Sequence, residues 1–306
     1  VTSEAARSVT VRVPATSANL GPGFDALGVA LDWTARITVT TGAPPRTPSD
    51  DPVVAAIERM AATAAAALFE AAGERTDTVD ATYEGDLPVG RGLGMSAASR
   101  AAGLVAANRM LGDRLGAEAL VPLAVRLEGH GDNIIPALFG GLQVVVHTDS
   151  DEGHGAVHVP IAPPDDLRLA LLVPEFSMPT EESRRRLPAT LTRQEAVANI
   201  GRSALVVAAL TQRRYDVLRV AVEDVLHQPA RAALFPALYP LIEAATEAGA
   251  YGAYLSGGGS TVAAFVSPAQ AEAVAAAMGR TAAAHQLQAS TRVVALSARG
   301  TEVVDG

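Results

Sequence analysis

Apolar and polar residues alternate from Val9 to Val13, the period of a strand with one buried face, and the same pattern returns from Ala35 to Thr40. Between them Pro14 to Gly28 is dense in small and turn-forming residues and reads as a loop. From Val53 to Ala72 polar interruptions are few and Gly73 follows, which predicts a buried helix with a glycine stop. Thr78 to Tyr83 reads as a strand, Gly90 to Gly94 as a glycine loop, and the Ala-rich run Ala97 to Leu111 as a helix. Gly141 to His147 is a further strand, and Asp149 to Gly155 an acidic turn between strands. Beyond Pro160, Pro163 and Pro164 come a strand at Arg168 to Val173 and helices at Gln194 to Thr211, Tyr215 to Val225, Pro236 to Ala248 and Pro268 to His285. Short apolar strands at Tyr251 to Leu255 and Val262 to Val266 flank a triple glycine, and Thr291 to Leu296 is the final strand. Strands and helices do not alternate regularly, so the fold class is α+β, with the proline-rich stretch dividing residues 1–162 from 163–306.

Composition narrows the chemistry. Nearly half of the 306 residues are apolar, enough to bury a large core. The net charge of −9 argues against non-specific nucleic-acid binding, and small-molecule chemistry fits better. There is no cysteine, hence no disulfide, thiolate nucleophile or zinc-thiolate site. No apolar run reads as a membrane span, and Glu4 stands where a signal peptide carries positive charge, so a cytoplasmic protein is expected. All 24 basic residues are arginine. Without lysine, a phosphate site must use backbone amides, hydroxyls, arginine or a metal.

Four segments concentrate polar groups. In Pro88-Val89-Gly90-Arg91-Gly92-Leu93-Gly94-Met95-Ser96-Ala97-Ala98 a glycine loop opens a helix, whose first amides lack internal partners and face an anion. Ser96 is a hydroxyl for phosphate or Mg²⁺, or else the cap of that helix. In the loop Pro14 to Asp25, Asn19 and Asp25 offer an amide and a carboxylate to an ammonium group, or serve as turn formers. Glu128-Gly129-His130-Gly131-Asp132-Asn133 lacks two histidines at zinc spacing; it fits a single carboxylate on Mg²⁺, or a polar turn capping a helix. Arg184 to Arg186 form a basic cluster that would ordinarily be a solvated face, and Gly257, Gly258 and Gly259 a hairpin turn.

These segments resemble, in order, the signatures of the homoserine kinases within the GHMP kinase family. Pro88, Gly92, Leu93, Gly94, Ser96 and Ala97 match the family's phosphate-loop motif, with Met95 where its first serine stands; Ser256 to Thr261 resembles its third motif, with Ser260 in place of proline. The acidic-histidine segment is similar to Glu-Gly-His-x-Asp-Asn, x being Gly131 here. Thr180 and Arg184 ahead of Leu187-Pro188 match a Thr-x-x-x-Arg, and Arg231 a second family arginine.

The resemblance implies a two-domain GHMP kinase fold: a first domain like the second domain of ribosomal protein S5, a ferredoxin-like α+β second domain, and an active site between them. It implies ATP and Mg²⁺, with residues 88 to 98 and Gly257 to Gly259 around the nucleotide and with Ser96 and Glu128 on the metal. Asn19 and Asp25 would hold the amino end of L-homoserine, and Arg184 and Arg231, with Thr180, its carboxylate end. His130 and Asn133 would line the substrate pocket, Asn133 near the attacking hydroxyl, so that Asn133, Glu128 and Ser96 are the catalytic set. The implied reaction gives O-phospho-L-homoserine, on the way to threonine, and a homodimer is a compatible assembly. Two alternatives stay open: a GHMP kinase for another small hydroxy acid, and a non-catalytic amino-acid-binding homologue, the latter motivated by Met95, Ser260 and Pro52, which lies near an asparagine of some relatives.

Overall fold

The computed structural model describes residues 6–306 except 45, 75, 77, 151, 152 and 179, with backbone alone at 149, 150, 153, 154, 180 and 181. The first sheet is antiparallel and built on two long strands, β1 (Arg7–Ala18) and β2 (Leu27–Thr41). Strand β1 continues through Ala18 into the stretch that reads as a loop, where Ala15 and Ala18 are buried, and β2 starts at Leu27, eight residues before the strand expected from Ala35, with Val29 and Leu31 buried. The register of β1 on β2 shifts between Pro14 and Thr16, at the one residue of β1 that cannot donate a ladder hydrogen bond.

Helix α1 (Pro52–Ala71) starts where Asp51 accepts from the Val53 and Val54 amides with proline in the first turn. By length and apolarity it would pass for a membrane span, yet Ala61, Ala64, Ala65 and Leu68 are buried against α2 (Met95–Met110), as in a core helix. Close approach depends on Gly103, where a Cβ would lie 2.1 Å from the Ala61 carbonyl oxygen. Strand β3 (Val79–Glu84) pairs with the C-terminal half of β2.

After α3 (Val121–Glu128), the Gly-Asp-Asn residues open α4 (Gly131–Phe139) instead of forming an isolated turn. A hairpin of β4 (Leu142–Ser150) and β5 (Gly153–Ile161) completes that side of the sheet; β5 was not marked by the hydropathy pattern, because its outward valines, Val157 and Val159, are exposed.

The second sheet has the order β7 (Gly252–Leu255), β8 (Val262–Val266), β6 (Arg168–Pro174), β9 (Ala289–Ala295). Along β6 alternate residues serve two cores: Leu169, Leu171 and Val173 face the large one, Ala170 and Leu172 the one beneath α9 (Leu238–Glu247) and α10 (Ala271–Ala284).

Between β6 and α9 lie α5 (Thr180–Arg185), α6 (Arg193–Gln212), which begins with a Thr192–Glu195 capping box, α7 (Leu218–Ala221) and α8 (Gln228–Ala232). The expected helix Tyr215 to Val225 is a 3-10 turn followed by the single turn α7. It stops because the Asp224 carboxylate takes the amides of Leu226, His227 and Gln228, which starts α8 instead. The last strand, β10 (Glu302–Asp305), returns to pair with β1 and closes the first sheet's edge.

Candidate active site

The glycine loop and the third glycine segment lock together where the two sheets meet. Gly92 and Gly94 have φ of 75° and 66°, and a Cβ would lie 2.0 Å from the Ser256 carbonyl oxygen at the first and 1.8 Å from Thr16 Oγ1 at the second. Only glycine fits either position. Ser256 Oγ donates to the Gly92 carbonyl at 2.6 Å, the Thr261 amide to Arg91 O at 3.0 Å, and the Gly257 amide to Ala18 O at 3.0 Å. Gly94 is the N-cap of α2 and has no side chain to satisfy the helix's first amides. Ser96 lies inside the first turn and does not cap it; its hydroxyl donates to Glu128 Oε2 at 3.1 Å.

Around this helix end opens a cavity of about 610 Å³. Gly90, Gly92, Leu93, Gly94, Met95, Ser96, Gly257 and Gly258 line it on the loop side; Pro88, Val89, Arg91, Ala97, Ala98 and Gly259 are not among its lining residues. Asn19, Asp25, Glu128, His130, Asn133, Arg184 and Arg231 complete it. Thr180 begins α5, and its side chain lies outside the described residues.

Four wall residues were given no role by the motifs: Phe24, Arg100, Gly129 and Asp132. Phe24 lies inside the first motif, beneath both arginines, with its ring centre 5.1 Å from Arg184 Cζ and 5.4 Å from Arg231 Cζ. Arg100 follows Ser96 by four residues, a spacing that alone puts it on the same helix face.

The charged groups of the cavity have partners within the chain. Arg184 donates to both oxygens of Asp25, at 2.8 and 2.6 Å, in a bidentate pair. Arg231 is almost wholly buried; Nε donates to Ser183 Oγ at 2.6 Å, and Nη1 to His227 Nδ1 at 2.8 Å and Gly257 O at 3.0 Å. Burial and the nearby Arg184 lower its pKa to about 10, so it remains a cation at neutral pH. Asn19 is held at positive φ, its amide donating to Gly257 O at 2.9 Å and accepting from the Asp25 amide at 3.1 Å.

On the opposite wall His130 Nδ1 meets Asp132 Oδ1 at 2.8 Å. Burial disfavours the charged ring, but the Asp132 hydrogen bond and the carboxylates of Asp132 and Glu128 outweigh it and hold the His130 pKa above its usual value. Asn133 accepts from Thr16 Oγ1 at 2.7 Å, which fixes its amide at the mouth of the glycine loop. Burial pushes the Glu128 carboxyl pKa up, against the opposing pull of Arg100, His130 and Ser96.

The hydroxyl and carboxylate oxygens of Ser96 and Glu128 are of the kind a hard cation takes, and would fit one that completes its shell with water and phosphate oxygens. Among the described residues no three His, Asp or Glu side chains converge as an all-protein metal site would require.

An uncapped glycine-loop helix end, a carboxylate beside it and a wall of charge pairs make a cavity suited to a phosphate group and a small charged molecule. The profile of the GHMP kinases N terminal domain matches residues 58–141 and that of the GHMP kinases C terminal domain residues 206–284. The chain belongs to the GHMP kinase family.

Within it, similar proteins include homoserine kinases. That of Desulfitobacterium hafniense is 39% identical over 300 residues, 97% of this chain and 100% of the relative. That of Deinococcus radiodurans is 42% identical over 274 residues, 86% of each chain. The crystal structure of homoserine kinase from Cytophaga hutchinsonii aligns with a TM-score of 0.86 at 27% identity, covering 97% of both chains. Mevalonate diphosphate decarboxylase from Staphylococcus aureus shares the fold, with a TM-score of 0.71 at 16% identity over 98% of this chain and 99% of the other. The two-domain GHMP kinase fold implied by the motifs is thus the fold of this chain.

Proposed function

We propose that this chain transfers the γ-phosphoryl group of ATP to the side-chain hydroxyl of L-homoserine, giving O-phospho-L-homoserine and ADP, a step toward threonine. The observation that carries the reading is the Asp25–Arg184 pair backed by Arg231, facing the α2 helix end across one cavity. A zwitterionic amino acid matches that pair group for group: its ammonium takes Asp25 and its carboxylate takes Arg184 and Arg231, so neither internal charge is left without a partner. A hydroxy acid lacking the ammonium would strand Asp25 in a half-buried position, which costs about 1–3 kcal/mol.

With the α-substituents so placed, the side chain of homoserine runs toward Asn133 and His130, and its hydroxyl toward the phosphate loop. The nucleotide's phosphates lie on the loop glycines and the free amides of α2. A divalent cation, Mg²⁺ in this reading, held by Glu128 and Ser96 would neutralise charge on the phosphate oxygens. The homoserine oxygen bonds to γ-phosphorus as the bond to the bridging oxygen breaks, and ADP leaves with that electron pair. Asn133 holds the hydroxyl without acting as a base. The proton passes late to a phosphoryl oxygen or water, which a loose transition state allows. His130, biased toward its charged form, adds positive potential on that wall.

A coupled assay for ADP release with a panel of hydroxy acids tests the reading. Release is expected with homoserine and ATP together and with neither alone; turnover of mevalonate without turnover of homoserine would overturn it.

A further inference from the structure

Arg100 lies one helical turn beyond Ser96 on α2, and its Nη1 contacts both Ser96 Oγ and Glu128 Oε2. Ser96 and Arg100 therefore meet at the same carboxylate oxygen. The two groups suited to a metal ion are already bridged by a side-chain cation. The Arg100 side chain is 24% exposed against 7% for Glu128, and it forms part of the cavity wall.

The other two cavity arginines are committed elsewhere, Arg184 to Asp25 and Arg231 to Ser183, His227 and Gly257. A guanidinium carries five N–H donors. Among the described residues the Nε and Nη2 groups of Arg100 make no further hydrogen bond, which leaves a planar donor edge beside the loop that receives phosphate.

We propose that Arg100 is a phosphate-binding residue of this chain. It holds Glu128 when no divalent cation is bound and donates its spare N–H groups to the terminal phosphates of a nucleoside di- or triphosphate, so that nucleotide binding depends less on the cation than Glu128 and Ser96 alone would make it. The proposal rests on the kinase reading.

Isothermal titration calorimetry of the whole chain with the non-hydrolysable β,γ-imido analogue of ATP, in EDTA and in Mg²⁺, tests it. The parent is expected to bind in EDTA within about tenfold of its Mg²⁺ affinity, a gap of about 1.4 kcal/mol. Arg100→Gln keeps a donor for Glu128 but removes the charge and the fork, and should weaken binding at least about thirtyfold in EDTA and less than about fivefold in Mg²⁺. Adenosine, which has no phosphate, should bind parent and variant alike, whereas a merely structural role would weaken it too. Arg100→Lys, which keeps the charge and the stem, should recover part of the EDTA affinity and serves if the glutamine variant does not fold. Equal EDTA affinities in parent and both variants would overturn the proposal, as would a parent that binds only with Mg²⁺. A parent that binds no nucleotide in either condition would overturn the kinase reading itself, and the proposal with it.

Discussion

The Glu128 side chain is only 7% exposed, lies beside Arg100 and His130, and lines the same cavity as the phosphate loop. Glu128→Gln keeps the shape and removes the charge that a cation needs. It should lower kcat by roughly 10²-fold or more while leaving the homoserine KM within a few-fold, as expected where an interaction is made chiefly in the transition state. Steady-state kinetics check this, and unchanged kcat would remove the role.

The two arginines assigned together from sequence behave differently in the structure. Arg184 is partly exposed, and among the described residues its guanidinium pairs with Asp25 and lies over the Phe24 ring, so Arg184→Ala should raise the homoserine KM about tenfold or more with little change in stability. Arg231 also holds Ser183, His227 and Gly257, and its loss strands those buried groups. Arg231→Ala should raise the KM and also cost on the order of 3 kcal/mol of stability, seen as a lower urea midpoint. Side-chain chemistry at both positions was legible in the sequence; the difference in burial was not, because it depends on α5, α8 and the third glycine segment meeting in space.

Short elements carry most of the site, and these were the least legible. The motifs marked the glycine loop and α2 correctly in order, since both depend on local backbone chemistry. The single turn α7 and the five-residue α8 are set by Asp224, which no hydrophobic period reports. The same cluster gives α8 a pH dependence. His227 Nε2 donates to Gly21 O at 2.7 Å and its Nδ1 accepts from Arg231, an arrangement only the neutral ring can make. Burial lowers its pKa to about 4, with Arg231 adding to the effect and Asp224 opposing it. A histidine depressed in the folded state leaves the unfolded chain binding more protons between about pH 6.5 and the folded pKa. Its contribution to stability is thus present above about pH 6.5 and lost as pH falls toward 4. Urea midpoints measured across that range should fall with acidification, and less steeply in His227→Gln, which keeps hydrogen-bonding capacity without the titration. Parallel curves for the two proteins would assign the acid sensitivity elsewhere.

At the scale of the whole molecule the chain closes on itself. No strand signal follows Leu296 in the hydropathy pattern, since β10 has only four residues and its valines are partly exposed; it forms because β1 offers an unpaired edge to residues that return there. On the way, Thr301 donates its amide to Ala137 O at 2.8 Å and its hydroxyl to the same carbonyl at 2.8 Å, which clamps the C-terminal end of α4. The other end of α4 presents Asp132 and Asn133 to the cavity. Ending the chain at Gly300 would therefore act on the site through one helix as well as on the sheet. Loss of four strand residues and the clamp should lower the melting temperature by several degrees, a cost of about 2 kcal/mol. It should also raise the homoserine KM more than the nucleotide Kd, because α4 carries the substrate wall, whereas the phosphate loop is also held by Ser256 and Thr261, which do not belong to α4. A truncated protein whose nucleotide affinity falls as far as its homoserine affinity would show that the two halves of the site are supported as one unit.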